Sequence, residues 1–282
     1  MMLQVKNLSK SYPGFSLKNV SFGLEEGYIA GFIGRNGAGK TTTLKSMLNL
    51  VRPDSGEVEI FGLDIKKAES EIKQELAFMT GTFDYYPQTK IGVIAGVYKR
   101  FYKNWDDSIF KDYLGKFSLD PNKRVKELSA GMKVKFGLAL ALSHKAKLLI
   151  LDEPTSGLDP VARNEVMNVF RRIIENGARS ILFSTHITSD LDKCADYIIF
   201  IKDGEIIADE TRDDLIEKHI VVKGALELLT EDFRKKLVGC ETNRHGFSAL
   251  MKRADYSPIN GLKTETPNLE DIMIYYNEKE EL

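Results

Sequence analysis

The chain has 282 residues, 43% of them apolar, which is enough for one large domain or for one domain with a smaller companion. Its 40 Lys and Arg against 41 Asp and Glu give a net charge of −1, which argues against a general nucleic-acid binder, usually strongly basic. The 2 cysteines, Cys194 and Cys240, are far apart and read as reduced thiols of a cytosolic protein; the 4 histidines form no metal-ligand spacing.

In chain order, residues 3–8 alternate apolar and polar and predict a strand. Ser9–Gly14 predicts a turn that holds Tyr12, and a second strand covers Leu17–Leu24, so the chain opens with antiparallel β structure. On its own Tyr12 reads as a surface tyrosine; next to a nucleotide it is a stacking platform worth ~1–3 kcal/mol. Tyr28–Ile33 is a short apolar run of strand length. After it comes Gly34-Arg-Asn-Gly-Ala-Gly-Lys-Thr41, which fits G-x-x-x-x-G-K-[ST] at every position, and then a helix with Leu44, Met47 and Leu48 at helical spacing.

Strand, glycine loop and helix make a polyphosphate cradle. Glycines let successive backbone N–H groups converge, and the helix N-terminus adds partial positive charge. Lys40 is expected at the β- and γ-phosphates and the Thr41 hydroxyl on Mg²⁺. Asn36, Gly37, Ala38, Gly39, Lys40, Thr41 and Thr42 are the candidate contacts of this loop.

Arg52–Gly62 predicts turn, strand and turn; residues 66–76 predict a helix and Leu76–Thr80 a buried strand. From Ile91 to Phe117 two helices follow, the second opened by Trp105-Asp-Asp-Ser108. Their aromatic stripe reads as core. Ser129 is placed to cap an Ala- and Leu-rich helix over Lys133–Leu142. Lys147–Glu153 is an apolar run ending in Asp152 and Glu153, a central parallel strand with acids at its carboxyl end, where α/β folds bind ligands. A helix over 160–176, a buried strand Ser180–Ser184 ending at Thr185-His186, and a hairpin around Lys202-Asp-Gly204 complete this part.

Beyond about residue 215 the texture changes. A strand at His219, a helix over Ala225–Leu237 and a last helix with Thr266 as its expected cap, Pro267 at its first position and Leu269, Ile272, Met273 and Tyr276 as its apolar stripe, predict a small α/β appendage over 216–282. No run of about 18 apolar residues occurs, and the N-terminus has no long apolar leader region.

Together these motifs resemble the ABC-type ATPase subunit, the nucleotide-binding half of an ATP-driven transporter. The resemblance covers roughly residues 1–215. Leu128-Ser-Ala-Gly-Met132 resembles the family's signature loop, Leu148–Glu153 its Walker B strand and Ser156-Gly-Leu-Asp159 its D-loop. His186 sits where the family has a switch histidine and Tyr12 where it has an adenine-stacking aromatic.

The resemblance implies a P-loop NTPase of α/β class with an N-terminal antiparallel β subdomain and a helical insert at about 82–145. It implies ATP and Mg²⁺. Asp152 would hold Mg²⁺ directly or through water, Glu153 would serve as general base or orient the attacking water, and His186 would contact the γ-phosphate. Ser129, Gly131 and Asp159 would serve an ATP held by a second cassette, homologous or identical, in a two-fold head-to-tail pair.

The chain departs from the pattern in two places. The signature has Ala130 and Met132 where the family has Gly and Gln, and the glutamine expected after Leu76–Thr80 is replaced by Gly81, with Gln88 the nearest alternative. A finer likeness, carried by Phe101–Asp107, the signature and Thr266–Tyr276, is to ABC-2-like bacterial exporters of lantibiotic-like or phenol-soluble modulin peptides. It implies a transmembrane permease partner, docked at the insert with Phe83, Tyr85 and Tyr86 as groove candidates or as ordinary loop aromatics. It also implies a peripheral place on the inner face of the cell membrane. Two other readings stand beside it: a non-transport ATPase acting on a soluble partner, and a regulatory subunit that hydrolyses weakly.

Overall fold

The computed structural model describes residues 1–81, 86–175 and 177–278. It divides into two compact units, Met1–His186 with Lys193–Asp209, and Ile187–Asp192 with Glu210–Leu282.

The first unit opens with β1 (Leu3–Tyr12) and β2 (Phe15–Leu24), paired antiparallel. Tyr12 ends β1 opposite Phe15, which corrects the expected turn at Ser9–Gly14: only Pro13 and Gly14 turn, with Gly14 at φ 84°. After β3 (Ile29–Ile33) and α1 (Lys40–Met47), β4 (Ser55–Ile60) and β5 (Leu63–Asp64) join the first pair in a sheet ordered β2-β1-β4-β5. Helix α2 (Ile65–Gln74) leads to β6 (Leu76–Thr80).

The helical part follows: α3 (Ile91–Phe101), α4 (Asp107–Lys116) and α5 (Ala130–Ser143). Asp106 caps α4, accepting from the N–H groups of Ser108 and Ile109. Helix α5 is apolar on most of its surface and correspondingly buried. Then come β7 (Leu148–Asp152), α6 (Pro160–Ile174), β8 (Ser180–Thr185), β9 (Tyr197–Lys202) and β10 (Glu205–Thr211); α7 (Thr188–Cys194), between β8 and β9 in the chain, has residues 188–192 in the second unit.

The main sheet is ordered β10-β9-β3-β8-β7-β6, and β9, β3, β8, β7 and β6 pair in parallel. Every residue of β3, β7 and β8 is buried, as a strand covered on both faces requires. Leu3, Leu17, Leu44, Met47, Phe32 and Ile150 belong to one core cluster that joins the small sheet, α1 and the main sheet.

His144, just past α5, is buried, stacks on Tyr102 with centroids 3.9 Å apart and places Nδ1 3.3 Å from the Gln74 carbonyl. Burial pushes its pKa from 6.5 down to about 4. The folded chain therefore holds it neutral where the unfolded chain takes up a proton. This contribution to stability is complete above about pH 6.5 and is lost as pH falls toward 4, amounting to about 2–3 kcal/mol. Urea unfolding at pH 7 and pH 4.5 checks this: His144→Phe, which keeps the stack, loses less stability over the interval than wild type by about 2 kcal/mol.

The second unit holds α8 (Arg212–Glu217), β11 (His219–Gly224), α9 (Glu231–Arg234), β12 (Leu237–Asn243), β13 (Gly246–Lys252), β14 (Lys263–Glu265) and α10 (Leu269–Asn277). Its sheet is ordered β12-β13-β11-β14, around a core that includes Ile220, Val222, Phe233, Phe247 and Met251.

Two expectations are corrected here. Residues 225–237 do not form one helix: a single 3-10 turn at Leu226–Leu228 ends at Leu229, and Thr230 then caps the short α9. The cap of α10 is Asn268, not Thr266, through a reciprocal box with Asp271, and the buried residues are Leu269, Ile272 and Tyr275.

Candidate nucleotide site

The loop from Gly34 to Gly39 joins the end of β3 to the first residue of α1. Gly37 and Gly39 are left-handed, at φ 86° and 113°. A Cβ on Gly39 would lie 2.7 Å from Leu17 Cδ2 and 2.8 Å from Phe15 Cζ, so β2 closes the loop from outside. Ala38 is buried: its N–H donates to the Arg35 carbonyl at 3.1 Å and its carbonyl accepts from the Gly204 N–H at 3.0 Å. Asn36 and Gly37 are left exposed on the crest, with Thr41 and half-buried Thr42 opening α1. The first N–H groups of a helix lack intrahelical partners, so the N-terminus of α1 favours an anion.

Lys40 is buried, and its ammonium donates to the Gly34 carbonyl at 2.8 Å and the Arg35 carbonyl at 3.3 Å. It also lies 3.2 Å from Glu153 Oε1. The other oxygen of Glu153, Oε2, is 2.8 Å from His186 Nδ1, so this carboxylate bridges the side chains of Lys40 and His186. Glu153 is itself left-handed at φ 53°, a strained backbone of the kind found at functional sites.

Asp152 ends β7 in register with Ser184 of β8. Its Oδ2 accepts from the Thr41 hydroxyl at 2.8 Å and its Oδ1 from the Ser184 hydroxyl at 2.6 Å. The Ser184 oxygen in turn accepts the Glu153 N–H at 2.9 Å. One hydroxyl therefore orients both acids. The sequence motifs assign no role to Ser184; its available signal is a buried polar residue directly after the apolar Ile181–Phe183 of β8. Gly14 and Phe15, which the sequence motifs do not include, and Ser156, the first residue of the D-loop match, line the groove together with Asn36, Gly37, Gly39, Lys40, Thr41, Thr42, Glu153 and His186.

Four expected residues lie apart from that groove. Tyr12 is 42% exposed at the end of β1. Ser129 caps α5, accepting from the Met132 N–H at 3.3 Å, and Gly131 is buried where a Cβ would sit 3.2 Å from Ala162 Cβ. Asp159 caps α6; the Ala162 and Val161 N–H groups hold its carboxyl below the ordinary range.

Neither candidate for the missing glutamine brings a side-chain amide to the groove. Gly81 uses its backbone N–H on the Asp152 carbonyl at 2.5 Å, and Gln88 is exposed, accepting from Arg124 at 3.4 Å. Phe83 and Tyr85 lie outside the described residues; Tyr86 is 72% exposed. No helix among the described residues is long and apolar enough to cross a membrane.

A family model described as "ABC transporter" matches residues 17–156. The bacitracin transport ATP-binding protein BcrA of Bacillus licheniformis is 31% identical over 84% of this chain and 78% of its own length. The lantibiotic transport ATP-binding protein SrtF of Streptococcus pyogenes is 35% identical over 75% of this chain and 92% of its own. Among solved structures, an ATP-binding subunit of an ABC transporter superposes with a TM-score of 0.69 at 27% identity, covering 76% of this chain and 92% of that one. An ATP-binding cassette solved as a dimer in a post-hydrolysis state with ADP and phosphate shares the fold, with a TM-score of 0.66 at 23% identity over 74% of this chain and 98% of that one. The loop, the paired acids and these matches together place the chain in the family of ABC transporter ATP-binding proteins, ATPases coupled to transport.

Proposed function

We propose that this ATPase powers an exporter of peptides or drug-like molecules, working as a head-to-tail pair of cassettes bound to a transmembrane permease on the inner face of the cell membrane. The observation that carries the catalytic part is the single carboxylate of Glu153 held between Lys40 and His186 at the mouth of the phosphate loop.

ATP is the substrate. Its phosphates take the loop N–H groups and Lys40, which exchanges its carbonyl partners for phosphate oxygens. Glu153 then accepts the proton of the water that attacks the γ-phosphorus as the bond to ADP breaks, and His186 positions that water and the carboxylate. Thr41 Oγ1 and Asp152 Oδ2, 2.8 Å apart, are hard oxygen donors of the kind Mg²⁺ takes, and they are the residues that would hold it. A bound Mg²⁺ would neutralise charge on the phosphate oxygens.

Ser129, Gly131 and Asp159 lie off the groove, which suits a role toward the ATP of a partner cassette. Tyr12 neighbours Phe15 at the rim of the groove and is the platform proposed for adenine. The peptide or drug substrate class rests on the names of the bacitracin and lantibiotic relatives.

The test is affinity purification of the tagged full chain from its host in mild detergent, with and without ATP. A polytopic membrane protein is expected in stoichiometric amount. A soluble scaffold recovered without any membrane protein overturns the transporter reading.

A further inference from the structure

We propose that Lys10, anchored by Asp54, is a positioning residue for nucleotide binding: it covers one face of the Tyr12 ring and leaves the opposite face for the purine. This rests on the assignment of Tyr12 as the adenine platform and adds the device that sets its ring.

Lys10 and Tyr12 are two apart on β1, so their side chains leave the same face of the strand. The Lys10 ammonium lies over the Tyr12 ring, 5.5 Å from its centroid, within the range of a cation–π contact. It is not a free lysine end. Its Nζ donates to Asp54 Oδ1 at 2.9 Å, and the Lys10 side chain is only 19% exposed.

Asp54 is fixed in turn. Its Oδ2 accepts the Ser11 N–H at 2.7 Å, and its own N–H donates to the Ser9 carbonyl at 2.8 Å. The Arg52-Pro-Asp54 turn thus clamps the last residues of β1 and holds the ammonium through a charge-assisted bond. On the strand beside it, Phe15 stands opposite Tyr12 and Leu17 opposite Lys10, and both Phe15 and Leu17 reach Gly39 of the phosphate loop. The ring that Lys10 steadies is therefore tied through β2 to the place where the phosphates bind. With the cation on one face, the exposed ring has a single face for a base, and it meets the base already oriented.

Two ligands separate this role from a general electrostatic or structural one: MgATP, and magnesium tripolyphosphate, which has the phosphates and no base. Binding to the full chain is measured by calorimetry. Lys10→Met is expected to weaken MgATP about two- to fivefold and leave tripolyphosphate unchanged, while Lys10→Arg stays near wild type. Asp54→Asn is expected to follow Lys10→Met. Tyr12→Ala is expected to weaken MgATP about tenfold, and adding Lys10→Met to it to weaken binding no further.

Equal or tighter MgATP binding by Lys10→Met, or a parallel loss for both ligands, overturns the positioning role while leaving Tyr12 as the platform. Unchanged MgATP binding by Tyr12→Ala removes the platform assignment and this inference with it.

Discussion

With the chain assembled on its partners, Glu153→Gln lowers the steady-state rate of ATP hydrolysis by about 10²- to 10⁴-fold while ATP still binds. The amide is the size of the carboxylate and tolerates the same left-handed backbone at φ 53° about as well, so the fold is kept. It can still meet Lys40 and His186 as a neutral partner, but it cannot take a proton from water. The substitution also removes a negative charge from beside the γ-phosphate. The variant should therefore accumulate as an ATP-bound closed pair, since a ligand that binds one state more tightly shifts the population toward it. Phosphate release measures the rate, and light scattering with MgATP measures the pair. Equal turnover by wild type and Glu153→Gln would remove the general-base assignment.

Gly34→Ala is the second large effect. A Cβ there would lie 2.4 Å from the Ile201 carbonyl oxygen, 3.0 Å from Ile201 Cγ2 and 3.2 Å from Ala38 Cβ. The first of these is backbone of β9, which cannot step aside without breaking its pairing with β3. The Gly34 carbonyl also accepts from Lys40, so any shift that relieves the clash moves the ammonium. The expected cost is about 2–4 kcal/mol of stability, with at least a tenfold loss of ATP affinity. Gly37→Ala is the control. Nothing lies within 4 Å of its Cβ position, and the strain is confined to φ 86°, so about 1 kcal/mol is expected. Denaturant unfolding and nucleotide binding on both variants compare crowding with backbone strain.

β3, β6 and β7 were legible because each is a short apolar run stopped by glycine or by acids. The structure places β6 at Leu76–Thr80 and β7 at Leu148–Asp152, close to the expected spans. The loop and its helix were legible for the same reason. What the sequence did not disclose is cross-strand register. Ser184 meets Asp152 only because β8 pairs with β7 in that alignment, and spacing along one strand carries no information about its neighbour.

The second unit misled where local caps beat periodicity. Leu226, Leu229 and Phe233 fall at helical intervals, yet the Thr230 hydroxyl accepts the Phe233 N–H at 3.3 Å and begins a new helix there. In the tail, Asn268 with Asp271 made a better box than Thr266 could with any residue in reach. Pro13 and Gly14 alone complete the turn, so β1 runs through Tyr12, which the sequence pattern places in the turn.

The turn after β9 presses on the phosphate loop. Gly204 donates its N–H to the Ala38 carbonyl at 3.0 Å and accepts from the Lys18 N–H at 2.8 Å. A Cβ on Gly204 would lie only 1.9 Å from the Ser16 carbonyl oxygen. The loop is thus strapped by main-chain bonds on the side away from the phosphates, with no long side chain in the strap to melt. A cradle built this way has little conformational freedom left to lose when a polyanion arrives, so the ordering penalty that weakens binding to floppy loops is largely absent. Its affinity for phosphates should then change little with temperature-driven loop motion, and an insertion that lengthens the Asp203-Gly204 turn should be felt in nucleotide binding although no inserted residue touches the ligand.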